Sequence, residues 1–225
     1  MTDIFSYLSF RSYPGRGILL GTAADGGLVC AYFIMGRSEN SRNRIFERTA
    51  DGIRTRAFDE GKMTDPSLII YTALRRRGQT CIVANGDQTD SIYDALERGG
   101  TVYDALAARS FEPDAPSFTP RISGVAAAGG YQLSILKTAD GVSCQRFFYN
   151  YGAVPGLGHF ISTYEGFGTP LPSFSGEPVA VSIPELSAGE LAEALWEALN
   201  EENRVALFVE RDGRQAMINR NGDRT

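Results

Sequence analysis

Histidine is nearly absent from this chain: 225 residues carry one, His159. A Ser-His-Asp triad therefore has a single candidate base, and no G-x-S-x-G elbow stands near it. His159 sits in a glycine-rich stretch and reads as a loop or rim residue rather than a catalyst. Cysteine is scarce too. Cys30, Cys81 and Cys144 are widely spaced, odd in number and form no C-x-x-C pair, which excludes a disulfide framework and argues against a zinc site. Each lies in an apolar or alternating run and reads as a buried strand thiol. Basic residues are not in excess: 22 Lys/Arg stand against 27 Asp/Glu, a net charge of −5. A general nucleic-acid binder needs a basic surface, so that class is excluded. No apolar run approaches the ~20 residues of a membrane span, and the N-terminus has neither a basic n-region nor an apolar h-region. The chain is expected to be soluble and cytoplasmic, without a membrane partner. It has no internal repeat and no low-complexity tract. Gly15-x-Gly17 lacks the third glycine and the helix that a dinucleotide site requires.

What is present is ordinary globular material, 43% hydrophobic and 22% charged, enough for a sizeable core. Residues 1–121 hold 15 Lys/Arg against 15 Asp/Glu, and residues 122–225 hold 7 against 12, so the first half is the better host for a small anion. Strands are expected in Tyr13–Gly21 and Leu28–Met35, joined at Asp25-Gly26-Gly27, and in Thr80–Ala84. Helices follow over Thr89–Arg98 and, after Gly99-Gly100, from the capping box Thr101…Asp104 to Arg109, an αα-hairpin lying on one sheet face. Strands return at Arg121–Ala127, Tyr131–Thr138 and Val142–Tyr149. Residues 150–186, rich in Gly, Pro and Ser, read as a long excursion. Ser187…Glu190 caps a helix to Asn200, and Arg204–Glu210 with Gln215–Asn219 closes the chain as a hairpin. Hairpin turns dominate, so the expectation is an α+β fold of two mostly antiparallel sheets, packed together with helices on their outer faces.

Three segments and one tyrosine carry candidate chemistry. In Gly36-Arg-Ser-Glu-Asn-Ser-Arg-Asn-Arg44, arginines alternate with small hydrogen-bonding residues, as suits a phosphate, although a solvated polar loop has the same composition. Ala84-Asn-Gly-Asp-Gln-Thr-Asp90 is a strand-to-helix turn. Asp87 and Asp90 repel phosphate, so it suits ribose hydroxyls or amide N–H groups, or serves only as turn and helix cap. In Phe111-Glu-Pro-Asp-Ala-Pro-Ser-Phe-Thr-Pro-Arg121, Glu112 lies between apolar neighbours that would raise its pKa towards that of a general base; a Pro-rich connector is the alternative. Tyr71, in Ser67–Leu74, reads as core or as a proton donor. Together these residues describe an anion site beside a carboxylate, without metal or cofactor, and do not name a reaction.

Their order resembles the archaeal-type IMP cyclohydrolase family. The resemblance runs through Tyr13-Pro-Gly-Arg-Gly-Ile-Leu-Leu-Gly21, Tyr32, the Arg37–Arg44 loop, Asp65-Pro66, Tyr71, Val83–Asp90, Glu112-Pro-Asp114, Thr119-Pro-Arg-Ile122 and Ile161-Ser-Thr-Tyr-Glu165. It implies one domain over 1–225, a four-layer αββα sandwich like that of the N-terminal-nucleophile hydrolases, and ring closure of 5-formamidoimidazole-4-carboxamide ribonucleotide to IMP. No N-terminal nucleophile is supplied, since Thr2 lies well upstream of the first strand. The implied catalytic residues are Tyr71, Glu112 and either Arg42 or Arg44. Arg16, Arg37, Asn43, Asn85, Gly86, Thr89, Asp90 and Arg121 are the implied substrate-binding residues. The partner is a small purine ribonucleotide, and a homo-oligomer is expected. An insertion around Asn150–Phe160 departs from the family pattern and is a candidate cover for the pocket. Two other functions share the expected fold, a purine-nucleotide-binding accessory protein and an N-terminal-nucleophile amidohydrolase.

Overall fold

Glycine turns cut the chain into hairpins, and the hairpins assemble two sheets. The computed structural model describes residues 1–222. A short strand β1 (Thr2–Asp3), not expected from the sequence, places Thr2 inside the first strand rather than upstream of it, and leads into helix α1 (Ile4–Ser9), whose first amides are capped by Asp3. The strands β2 (Arg16–Thr22) and β3 (Leu28–Met35) follow, then helix α2 (Glu39–Arg42) and the hairpin β4 (Arg44–Arg48) and β5 (Gly52–Ala57). Next come β6 (Thr72–Arg77) and β7 (Thr80–Ala84), and helices α3 (Gln88–Glu97) and α4 (Val102–Ala107). The remainder is β8 (Arg121–Ala127), β9 (Gly130–Lys137), β10 (Gln145–Gly152), β11 (Leu157–Ser162), β12 (Val179–Ser182), helix α5 (Ala188–Ala198), β13 (Arg204–Arg211) and β14 (Arg214–Asn219).

One sheet has the order β1-β12-β11-β2-β3-β13-β14 and the other β10-β9-β8-β7-β6-β5-β4. Every pairing is antiparallel except that of β1 with β12. Side chains alternate across each strand and so sort themselves into layers. Ile18, Leu20, Cys30, Tyr32 and Ile34 of the first sheet meet Phe46, Ile53, Cys81, Val83, Ile122 and Leu133 of the second in a central core. On the outer face of the first sheet, Leu19, Phe33, Phe160 and Leu207 pack against Ile4 and Leu8 of α1 and Leu191, Leu195 and Trp196 of α5. On the outer face of the second, Ile82 and Leu136 pack against Ile92, Val102 and Leu106 of α3 and α4. The result is an αββα sandwich, as expected from the hairpin pattern. Among the described residues no helix is long and apolar enough to cross a membrane.

The stretch 150–186 departs from the sequence reading. It contains β11, which pairs with both β2 and β12 inside the first sheet, so it is part of the framework rather than an excursion. Its glycines concealed it: a Cβ on Gly158 would run against Ile183 and the backbone of Leu20, so the strand gives up side-chain signal for close packing. His159 is thereby a buried strand residue, not a loop or rim residue. Its Nδ1 lies 2.7 Å from the Tyr131 hydroxyl and its ring stacks on Tyr151, and burial holds its pKa below the ordinary value. Cys30 and Cys81 are buried as expected and face each other between the sheets, 3.7 Å apart. Cys144 instead lies half-buried just before β10, which starts later than expected because Asp140 caps the amides of Val142 and Ser143 in a longer turn.

Candidate active site

Strand ends from both sheets meet at one pole of the sandwich. There β2 begins with Arg16, β4 with Arg44 and β8 with Arg121, while Tyr71 immediately precedes β6. β3 ends at Met35, β7 at Ala84, and β11 at Ser162, two residues before Tyr164. The chain enters β2 through Gly15, whose φ of +77° is a glycine conformation and whose missing Cβ leaves room for Thr163 and Tyr164.

Three charged residues are buried at this pole: Arg44 at 0% exposure, Glu112 at 2% and Arg16 at 9%. Arg44 is held by Nε to the Ser41 carbonyl at 2.8 Å and by Nη2 to the Met35 carbonyl at 3.3 Å. Its Nη1 and the Nε of Arg16 have no partner among the described residues. Such N–H groups are costly to leave dry, and both can donate to a polar group placed between them. Burial pushes the Glu112 carboxyl up to about 7, against the pull of Arg16 and Arg121 and with the help of Asp114. Burial and the like charge of Arg16 lower the Arg44 guanidinium. Burial works against the Arg16 charge as well, but Glu112 and the phenols of Tyr71, Tyr164 and Tyr13 more than offset it and raise its pKa. The Tyr71 hydroxyl lies 2.8 Å from that of Tyr32, whose own pKa is pushed well up by burial. The cluster can bind a polar group on two guanidinium donors, donate a proton from a phenol, and accept one on a carboxylate poised near neutrality.

The other predicted residues divide by location. Arg121 borders the cluster; its Nη1 donates to Asp87 Oδ1 at 2.8 Å and to Gln88 Oε1 at 2.7 Å. Gly86 lies beneath it, and a Cβ there would run into the guanidinium. Asn85 is buried and bonded within the fold: its amide donates to the Pro120 carbonyl, and its oxygen accepts from Ile122 N and Gln88 Nε2. It thereby ties the end of β7 to the start of β8. Thr89 Oγ1 donates to the Gly86 carbonyl, and Asp90 pairs with Arg75. Asn43 makes a two-way bond with the backbone of Asp59. Arg42 donates to the Gly36 carbonyl and to Asn203 Oδ1. Arg37 is exposed, lying over the ring of Tyr13, which also stacks on Phe167. The structure therefore brings Arg16, Arg44, Tyr71 and Glu112 together, with Arg121 and Gly86 at their border and Arg37 outside.

Sequence reasoning passed over Tyr13, Tyr32, Tyr164, Thr119 and Asp114 as site members. Tyr32 sits mid-strand in the apolar β3, and its hydroxyl meets that of Tyr71 only once the two sheets are packed together. Tyr164 follows β11, whose glycines give the sequence the look of a loop. A separate cavity of about 490 Å³ lies at the opposite pole, lined by Arg76, Glu210, Leu28 and the turns at Gly26, Gly78, Gly129 and Gly213. Its buried carboxylate is already satisfied by Arg76 and Gln215.

Residues 13–215 match a family described as "IMP cyclohydrolase-like protein". A protein from Halobacterium salinarum named "IMP cyclohydrolase" is 28% identical over 205 residues, covering 89% of this chain and 93% of its own. One of the same name from Methanothrix thermoacetophila is 31% identical over 188 residues, covering 82% and 85%. Another, from Methanopyrus kandleri, is 33% identical over 114 residues, or 49% and 57%.

Proposed function

This chain belongs to the IMP cyclohydrolase-like family, and from that premise we propose that it closes the six-membered ring of inosine monophosphate. The substrate is a formamidoimidazole carboxamide ribonucleotide, a cytoplasmic metabolite, and the products are IMP and water. The observation that carries this reading is the buried set of Glu112, Tyr71 and two guanidinium groups with unpaired N–H donors.

Ring closure joins the carboxamide nitrogen to the formyl carbon of the same molecule. Holding the two in contact removes much of the barrier, because the productive rotamer no longer has to be found. Glu112 takes one proton from the carboxamide nitrogen as it attacks. Tyr71 donates to the formyl oxygen, with Tyr32 donating in turn to Tyr71 across their 2.8 Å contact. The resulting carbinolamine then loses that oxygen as water, the second hydrogen coming from the formamido nitrogen. Arg44 and Arg16 stabilise the oxygen that gains negative charge; aimed N–H donors act most strongly where water is excluded. Between the two loop arginines, Arg44 is assigned this role because Arg42 is bonded to Gly36 and Asn203. Arg37, exposed at the mouth, suits the phosphate. A homo-oligomer belongs to the same reading: β10 is paired on one side only, and its outer edge is free for a second copy.

The test is a ring-closure assay on purified protein, following IMP by ultraviolet absorbance. Acceleration over the uncatalysed rate is expected, falling by at least about a hundredfold in Arg44→Ala and Tyr71→Phe and little in Arg42→Ala. Tight IMP binding without acceleration would instead indicate an accessory nucleotide-binding protein.

A further inference from the structure

Thr119 joins two parts of the site through four hydrogen bonds. Its carbonyl accepts the backbone N–H of Glu112 at 2.9 Å. Its hydroxyl is bonded both to Asp114 Oδ2 and, at 2.5 Å, to the phenol of Tyr164, while Asp114 Oδ1 accepts the Thr119 amide at 2.6 Å. The direction of this chain follows from a donor count. A carboxylate only accepts, so the single proton of Thr119 Oγ1 goes to Asp114. Thr119 Oγ1 must then accept from Tyr164, and the one proton of Tyr164 is committed to it. Tyr164 is buried, and its phenol feels the charges of both Arg16 and Glu112. Its oxygen therefore offers the site lone pairs and no proton. Tyr71 is the opposite case, since Tyr32 can donate to it and leave its proton free for a ligand.

The proposed reaction has a use for a fixed acceptor at that position. A carboxamide nitrogen carries two hydrogens. One must leave during attack, and the other survives as the N1–H of the product. With Glu112 taking the first, an acceptor on the far side of Thr119 meets the second. Resting on the functional reading above, we infer that Tyr164 determines specificity by accepting this surviving N–H, and that Asp114, acting through Thr119, is the positioning residue that holds the phenol in its accepting orientation. The site then selects a ring whose N1 carries hydrogen and disfavours one whose N1 is itself an acceptor. A site built to bond one polar group discriminates strongly against a ligand that cannot reciprocate.

The experiment is calorimetric titration of the wild type, Tyr164→Phe and Asp114→Asn with IMP and with AMP, whose N1 has no hydrogen. Thermal melting checks that each variant is folded. The wild type should prefer IMP. Tyr164→Phe should lose about tenfold in IMP affinity and little for AMP. In Asp114→Asn the new amide donates to Thr119 Oγ1 while its oxygen keeps the Thr119 amide. The threonine proton then turns to Tyr164, and the phenol proton is released into the site. That variant should shift the IMP to AMP ratio towards AMP by more than Tyr164→Phe does. A purely structural brace would weaken both ligands alike and leave the ratio in place. If the wild type closes the ring but both folded variants keep its ratio, the inference is overturned and the functional reading stands. If the wild type neither closes the ring nor binds IMP, the functional reading fails and takes the inference with it.

Discussion

A carboxyl buried beside two arginines acts in opposite directions on folding and on catalysis, and Glu112 can be used to measure both. Below about pH 4.5 it is protonated whether the chain is folded or not. As pH rises towards 7 the unfolded carboxyl ionises while the folded one holds its proton, so the stability that Glu112 contributes is lost across that interval. Glu112→Gln removes the penalty. The variant is expected to exceed the wild type in stability at pH 8 by about 3 kcal/mol and to lose that advantage near pH 4, as urea denaturation at the two pH values would report. Its ring closure should fall by two or more orders of magnitude, while wild-type activity should rise through an acid limb near pH 7. Equal stability of variant and wild type at pH 8 would mean that Glu112 ionises at an ordinary carboxylate value.

At the scale of elements, the strand-to-helix turn after β7 decides where Arg121 points. Asp87 stands at the N-cap of α3 but makes no capping bond with its side chain; its carboxylate goes to Arg109 and Arg121. Burial opposes the charge, yet the two arginines hold that carboxyl below its ordinary range. Gly86→Ala would press a methyl group against the Arg121 guanidinium. It should reduce kcat/KM by ten- to a hundredfold with a change in melting temperature of only a few degrees. An unchanged kcat/KM would remove Arg121 from the substrate's surroundings. Elements of this kind differ in how far the sequence reveals them. The turns at Asp25-Gly26-Gly27, Gly129-Gly130 and Asp212-Gly213 and the capping boxes at Thr101 and Ser187 are local signals, and the hairpins and helices they predict are present. β11 and β12 are specified by partners distant in sequence, and glycine and proline masked them. The same distinction runs through the site. Glu112 and Tyr71 stand out by their neighbours, whereas the choice between Arg42 and Arg44 depends on where helix α2 ends and β4 begins, which turns Arg42 to Gly36 and Asn203 and Arg44 into the buried cluster.

Over the whole molecule, Asn219 fastens the two sheets to each other along one side, beside the bond from Arg48 to Gln215. Asn219 of β14 accepts from the amide of Phe46 at 2.7 Å and donates to its carbonyl at 3.1 Å, closing the edge of β4. An edge satisfied by a side chain offers no template to another chain. Asn219→Ala should cost about 1–3 kcal/mol in urea denaturation, because two buried backbone groups lose their partners. It should also loosen β4, which begins with Arg44, so activity should decline together with stability. A variant of full stability would show that water serves Phe46 equally well. The same fastening has a consequence for the order of events at the ribosome. β13 lies between β3 and β14, and Asn219 follows every residue of the site in the chain. A nascent chain that has already released Arg16, Arg44, Tyr71, Glu112 and Tyr164 still lacks the strand that flanks β3 and the clasp that seals β4. Binding competence is therefore expected to arrive late in translation, with a hairpin that supplies none of the clustered side chains.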